Sequence, residues 1–286
     1  LICPPDKNVE IKVQTHITVG GLNMPKLGLG TYRLTGAACM EAVERALRLG
    51  FRHIDTAEMY GNEDAVGEAL ASAAVPRGQI HVTTKVWWEN LAPDAMRRAI
   101  ENSLAKLRLD YVDLYLIHWP APNMNLPQAL ETLVSLQEQG LARHIGVSNF
   151  PVALLRQAVE EVRAPIVCNQ VEYHVKRNQS AVLGYARAHG LGMTAYCPLG
   201  QGRLADEPAL ASIAQKHGVS VAQVALKWLL DQDGVAAIPK AQREESQRAN
   251  LAALSVALDD ADRAAIEALP KDARYVNPGF APVWDR

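Results

Sequence analysis

Phe51-Arg52-His53-Ile54-Asp55-Thr56-Ala57-Glu58-Met59-Tyr60-Gly61-Asn62-Glu63 is the stretch on which the reading of the fold turns. A short apolar run breaks into a polar loop where a carboxylate and a phenol appear, and a helical pattern starts at Asn62. The pattern predicts a strand ending near Asp55, a loop carrying Tyr60, and then a helix. Two later apolar runs end in the same way, in Thr83-Thr84-Lys85 and in Leu114-Tyr115-Leu116-Ile117-His118. As successive strands of one parallel barrel, they would bring Asp55, Tyr60, Lys85 and His118 to its C-terminal mouth, where such barrels carry their chemistry.

Working outward, residues 14–19 alternate, Gly20-Gly21 turns and residues 22–25 return, which predicts a small hairpin at the barrel floor. Residues 26–31 read as the first buried strand, and 38–49 as a helix stopped by Gly50. Further strands are expected at 51–56, 80–86, 112–119, 144–148, 166–171, 192–196 and 235–239. Helices are expected at 62–74, 93–109, 126–139, 151–162, 180–189, 208–217, 221–230 and 244–254, with another at 259–269. Strands alternating with helices specify a parallel sheet with helical crossovers. An open doubly wound sheet would use the same alternation. However, Gly28-Leu29-Gly30-Thr31-Tyr32-Arg33 lacks the third glycine of a dinucleotide turn, and no acidic residue follows about 20 positions on. The expected fold is therefore α/β, a (β/α)8 TIM barrel. Residues 1–13 read as an N-terminal extension and 14–286 as one barrel domain, whose aromatic, proline-containing tail from 275 onward is long enough to fold over the mouth.

Bulk composition narrows the function classes. The chain has 286 residues, 49% of them hydrophobic, and a formal charge of −2, as expected of an ordinary globular protein. No basic run offers a footprint for nucleic acid, and no apolar run reaches the roughly 18 residues of a membrane span. Cys3, Cys39, Cys168 and Cys197 form no C-x-x-C pair, so reduced thiols in a cytoplasmic enzyme are expected. The opening Leu1-Ile2-Cys3-Pro4-Pro5 has neither the basic start nor the apolar length of a signal peptide.

Consider what the four mouth residues would do. A tyrosine with its ordinary pKa near 10 is a poor proton donor at neutral pH. An ammonium beside it favours the phenolate and draws that pKa toward the working pH, which makes Lys85 the partner of Tyr60. Asp55 would hold Lys85 charged and aimed, and His118 would hydrogen-bond a substrate carbonyl. Taken singly, Asp55 is as readily a helix cap, Lys85 a solvated rim residue, His118 a core histidine and Tyr60 an ordinary loop residue; their shared position at strand ends is what carries weight. His53 and Asp55 form an H-x-D pair, but no second histidine pair completes a metal site, so no metal is expected.

These residues resemble the aldo-keto reductase family. Phe51 to Glu63 is similar to its second-strand signature, Thr84-Lys85-Val86-Trp87 to its lysine strand and Leu116-Ile117-His118-Trp119-Pro120 to its histidine strand. Gly146-Val147-Ser148-Asn149-Phe150, Asn169-Gln170-Val171-Glu172-Tyr173 and Ile238-Pro239-Lys240 follow in the family's order. The resemblance implies a barrel that binds NADPH across its mouth and reduces aldehydes and ketones, with Tyr60 as general acid, Lys85 and Asp55 tuning it and His118 orienting the carbonyl. It further implies that Ser148, Asn149 and Gln170 hold the nicotinamide carboxamide and that Tyr196 stacks on the ring. Thr31 and Leu199 would line the cofactor's path, Lys240 would meet the 2′-phosphate and Asn250 the adenine.

Two departures stand out. Cys197 and Ala241 occupy positions where the family usually has a small hydroxyl residue, and Ser246 stands where a 2′-phosphate arginine is usual; Arg243 lies on the same loop as a substitute. Within the family, Trp87-Trp88-Glu89-Asn90-Leu91, Asp110-Tyr111-Val112-Asp113-Leu114 and the tail Phe280 to Asp285 look most like bacterial reductases of 2,5-diketo-D-gluconate. That resemblance implies reduction to 2-keto-L-gulonate, with Trp88, Trp119 and Trp284 walling the substrate pocket. A general methylglyoxal or aldehyde reductase is the alternative, and no arginine clamp for a sugar-acid carboxylate is evident in the sequence. A monomer acting on small carbonyl compounds is expected, with no nucleic-acid or membrane partner. Two readings from other classes are a cofactor-sensing barrel without turnover and a metal-dependent barrel hydrolase.

Overall fold

A computed structural model describes residues 15–285, so the extension expected at 1–13, Gln14 and Arg286 lie outside the described residues. The chain enters through a hairpin, β1 (His16–Val19) and β2 (Leu22–Pro25), then β3 (Leu29–Gly30) and α1 (Gly36–Leu49). There follow β4 (His53–Asp55), α2 (Glu63–Ser72), β5 (His81–Val86), α3 (Pro93–Leu107), β6 (Val112–Ile117) and α4 (Leu126–Glu138). Next come β7 (Ala142–Ser148), α5 (Val152–Arg156), β8 (Ile166–Glu172), α6 (Ser180–Ala188) and β9 (Gly192–Tyr196). The chain ends with α7 (Pro208–His217), α8 (Val221–Leu230), β10 (Val235–Ala237), α9 (Glu244–Ala252) and α10 (Asp260–Glu267).

Strands β3 to β10 pair in parallel, each beside the next in sequence. What separates a barrel from an open sheet is the seam between first and last strands, and it is closed here. Leu27 bridges Ala237, Gly28 N donates to Ala237 O at 2.9 Å and Ala237 N donates to Lys26 O at 2.7 Å. Gly30 fits that seam because a side chain would collide: a Cβ there would lie 2.6 Å from Ile238 O. The first strand, expected over 26–31, is reduced to two ladder residues and one bridge. The other notable departure is the helix expected at 151–162, which stops at Arg156 and widens into a π-helical turn at Gln157–Glu161.

Alternation along the strands sorts side chains into two environments. Outward, Ile54, Val82, Val86, Tyr115, Ile117 and Ile145 pack with the helices in one large apolar cluster. Inward, the floor is plugged by the hairpin, whose Ile17, Leu22 and Met24 pack with Leu114, Leu116, Val167 and Ala236. One wall of the interior is polar. His53, on the same face as Asp55, stands edge-on to His81 at 4.8 Å, and Thr83 Oγ1 lies 3.2 Å from His81 Nε2. Alternation on β5 thus sets His81 at the floor, Thr83 in the middle and Lys85 at the mouth. No helix among the described residues is long and apolar enough to cross a membrane.

Helices α2 and α3 touch at Gly67, where a Cβ would press on Lys106 O and stand 2.7 Å from Leu107 C. Gly67→Ala is expected to lower stability by about 1–3 kcal/mol through overpacking, read as a shift in the urea midpoint at unchanged slope. The buried histidines give a second prediction. Burial holds His53 below, and His81 well below, the ordinary 6.5, so both are neutral in the fold while the unfolded chain protonates normally. Stability is then level above pH 6.5 and falls as pH drops through it, because the unfolded state takes up more protons, by up to about 1.4 kcal/mol per pH unit per histidine. Thermal midpoints should fall between about pH 6.5 and 5.5, less steeply in His81→Gln; a level profile in that range would contradict the neutral pair.

Candidate active site

At the C-terminal mouth, strand ends and the loops beyond them gather the four residues. Lys85 has no solvent exposure, and Asp55 is 1% exposed. Lys85 Nζ donates to Asp55 Oδ1 at 2.6 Å and to Thr56 O at 2.7 Å, and lies 3.5 Å from the Tyr60 hydroxyl. The second carboxylate oxygen of Asp55 accepts from Gln170 Nε2 at 2.7 Å. His118 stands edge-on to Tyr60, ring centres 5.5 Å apart, and edge-on to Trp87 at 5.3 Å.

The loop that carries Tyr60 is held at both ends. Asn62 is fully buried; it accepts from Thr56 Oγ1 and donates to the carbonyls of Thr31 and Leu34. Glu58 takes Trp87 N at 2.8 Å and Asn90 Nδ2 at 2.7 Å, tying the 3-10 turn Glu58–Tyr60 to the end of β5. In sequence Asn62 reads only as the start of a helix and Glu58 as a loop residue. A buried asparagine between a strand and a helix was the available signal.

Electrostatics departs from expectation at one point. Burial, reinforced by the Asp55 carboxylate, holds the Tyr60 phenol well above 10, rather than letting Lys85 draw it toward neutrality. Desolvation is the reason: a phenolate in this enclosure loses more hydration than an ammonium 3.5 Å away returns, since that ammonium already faces Asp55. Tyr60 is therefore a protonated phenol at neutral pH. Burial also lowers Lys85, against the pull of Asp55, and holds His118 well below 6.5 with help from the Lys85 charge. A neutral imidazole keeps one N–H to donate. His118 Nδ1 is buried without a partner.

Two cavities meet at Tyr60. One, about 450 Å³, is lined by Tyr60, His118, Trp87, Trp119, Asn149 and Gln170 under the tail residues Tyr275 to Pro278 and Phe280. The other, about 360 Å³, runs from Tyr60 and Tyr196 past Thr31 and Leu199 to Lys240. They share Tyr32, Arg33, Tyr60, Tyr196, Cys197 and Gln201, so one elongated ligand can run through both. Ser148 and Asn149 sit at the end of β7 beside Gln170: Ser148 Oγ donates to Gln170 O at 2.8 Å, and Asn149 Nδ2 to His118 O at 3.0 Å. Tyr196 OH donates to Asn149 Oδ1 at 2.7 Å. Gln170 Oε1 has no partner among the described residues, an acceptor that suits a carboxamide N–H. Arg33, Asn149, Cys197 and Gln201 all have left-handed backbones, so departures from ordinary geometry concentrate at this mouth.

Not every expected residue reaches a cavity. Arg243 and Asn250 lie outside both linings, Arg243 exposed just before α9 and Asn250 buried within it. Arg248 is engaged with Glu244 at 2.7 Å, whereas Arg243 has no ion pair among the described residues. Trp88 and Trp284 form a second layer instead of lining the substrate cavity: Trp88 packs on Phe280 at 5.0 Å and Trp284 on Trp119 at 6.0 Å. Trp87 and Phe280 take the inner positions. The strand alternation places Trp88 one residue past Trp87, and the Trp88–Asn90 turn carries it outward. Arg33 is exposed on the rim of both cavities, with no ion pair among the described residues. The tail is rooted by Glu172, fully buried, which accepts from Tyr275 N at 2.7 Å and Val276 N at 2.9 Å.

Comparison with known proteins agrees with this architecture. The profile described as Aldo/keto reductase family matches residues 26–271. Methylglyoxal reductase DkgB of Salmonella typhimurium is 41% identical over 92% of this chain and all of its own length. The glyoxal reductase of Bacillus subtilis is 39% identical over 89% of this chain and 92% of its own. A crystal structure of a protein provisionally named 2,5-diketo-D-gluconic acid reductase B superposes with a TM-score of 0.93 at 40% identity, covering 96% of this chain and 99% of that one. Barrel closure, the order of its strands and sequence similarity along most of its length agree: the chain belongs to the Aldo/keto reductase family and is an oxidoreductase acting on carbonyl groups.

Proposed function

We propose that this chain reduces small aldehydes and ketones with NADPH, Tyr60 donating the proton. The observation that carries the reading is the contact of Lys85 Nζ with both Asp55 and Tyr60, beside a neutral His118. When bound, the cofactor would supply a hydride to the carbonyl carbon. The residues do the rest. His118 donates a hydrogen bond to the carbonyl oxygen and brings it to the Tyr60 hydroxyl. The phenol, protonated at neutral pH, passes its proton to that oxygen as negative charge develops there. Lys85 then faces the phenolate left behind, and Asp55 keeps Lys85 in place.

The grooves suit an extended dinucleotide. Ser148, Asn149 and Gln170 would hold its carboxamide and Tyr196 would stack on the nicotinamide, with Thr31 and Leu199 along the path. Lys240 and Arg243 would meet the 2′-phosphate and Asn250 the adenine. Lys240 is exposed at the far end of the groove and Arg243 has no ion pair among the described residues, which supports NADPH over NADH although Ser246 replaces a bidentate partner. For substrate we favour 2,5-diketo-D-gluconate, giving 2-keto-L-gulonate, with methylglyoxal and other aldehydes as the alternative. Arg33 at the rim supports an acid substrate. We further assign a monomeric cytoplasmic enzyme, organised as a single domain over 14–286; the free Cys39, Cys168 and Cys197 accord with a reducing compartment.

Purified protein should oxidise NADPH in the presence of either substrate, faster than NADH at low cofactor concentration. Tyr60→Phe should lose at least about a hundredfold in turnover while cofactor binding, followed by fluorescence, is retained. If wild type binds cofactor but reduces no aldehyde in a broad panel, a cofactor-sensing role replaces this one. Arg33→Gln should raise KM for 2,5-diketo-D-gluconate about tenfold and leave methylglyoxal unaffected; equal effects on both would remove Arg33 from substrate recognition.

A further inference from the structure

A third cavity, about 440 Å³, lies behind the tail, between the N-terminus of α6 and residues 271–285. It is separate from the catalytic mouth. Trp284 stands between the two, packing on Trp119 on one side and lining this cavity on the other.

Two arginines face it, and neither has a carboxylate within 4 Å among the described residues. Arg177 Nε and Arg274 Nη1 are both buried without a hydrogen-bond partner. Arg274 stacks over Trp284 at 3.6 Å, a contact that uses the face of the guanidinium and leaves its edge to donate. The first turn of α6 adds Ala181 and Val182, whose amides precede the first intrahelical donor, Leu183 N to Gln179 O. Lys271 and Asp285 also line the cavity but are engaged: Lys271 Nζ donates to the carbonyls of Val175 and Ile266, and Asp285 Oδ2 accepts from Val152 N. Phe150 and Val171 add an apolar stretch of wall, and the exposed carboxylate of Asp272, which has no ion pair among the described residues, lines the rim.

Unpaired buried donors are costly, the more so when charged. Two guanidinium groups and a helix N-terminus lining one cavity form a set that a multiply charged oxyanion satisfies and a neutral ligand does not. We propose that this cavity is an oxyanion site that takes phosphate, free or as the terminal group of a small phosphate monoester. Burial together with the like charge of Arg177 lowers Arg274 to about 10, a repulsion that a bound anion would relieve. Occupancy would also fasten Arg274, and through it Trp284, behind the wall of the substrate cavity.

The test is calorimetric titration of the whole protein with inorganic phosphate at ionic strength held constant with chloride. Wild type should bind one phosphate per chain at this site. Arg177→Gln and Arg274→Gln should each weaken it about tenfold or more, and Arg274→Lys less. Lys240→Gln, which alters only the cofactor groove, should keep it. A parallel titration with glycerol 3-phosphate separates the sources: tighter binding assigns the site to an ester, and equal binding assigns free phosphate. No phosphate binding to wild type in the millimolar range, or binding lost in Lys240→Gln and kept in both arginine variants, would overturn the proposal.

Discussion

An ammonium cut off from water has to be surrounded by acceptors, and Lys85 is: Asp55 Oδ1 and Thr56 O lie within 2.7 Å, with the Tyr60 hydroxyl at 3.5 Å. Isolated, either charge would be several kcal/mol too costly to bury, so each fixes the other. That requirement reaches back into the fold. Lys85 can meet Asp55 only if β4 and β5 are neighbours in register, which the ladder provides by pairing Asp55 with Thr83, two residues before Lys85 on the same face. Gln170, on β8 and four strands from β4 by sequence order, binds the other oxygen of Asp55 across the barrel interior. The ion pair is therefore a product of barrel closure as well as a feature of the site.

Seen from that pair, the mouth divides its work by burial. The dry side holds groups whose charge or hydrogen bonds are settled before any ligand arrives, Lys85, Asp55, Ser148 and Asn149, with the Gln170 Oε1 acceptor as the exception. The open side holds groups with capacity to spare, among them the Tyr60 hydroxyl, Arg33 and Lys240. Placing a protonated phenol at the boundary gives a proton donor that needs no activation to hold its proton. What it needs is a charge to face once the proton has gone, and Lys85 meets that need in the position the fold imposes.

Much of this was legible in the sequence because it obeys period-two alternation. The strand ends at Asp55, Lys85 and His118 follow from where apolar runs stop, whereas the groove residues Thr31, Tyr196, Leu199 and Lys240 came from the family resemblance. Residues off that pattern were harder to place. Trp88 and Trp284 were expected in the pocket wall, but the short turn after Trp87 and the irregular tail set their depth, and neither has a period to read. The direction of the Tyr60 pKa was missed for a different reason: sequence shows which charges are neighbours but not how much water is excluded. Glu172 as the root of the tail, and Arg177 with Arg274 behind it, depend on contacts between segments about 100 residues apart, which no local pattern carries.

The central claim is that Tyr60 and Lys85 act as one proton-donating unit. A double-mutant cycle on turnover of methylglyoxal at saturating NADPH, using Tyr60→Phe, Lys85→Met and the pair together, tests it most directly. If the two act as a unit, the double variant will be no slower than the slower single variant, because either change alone already disables the transfer. Losses that multiply across the two singles would contradict the account and leave Lys85 as a structural cation with no part in the chemistry.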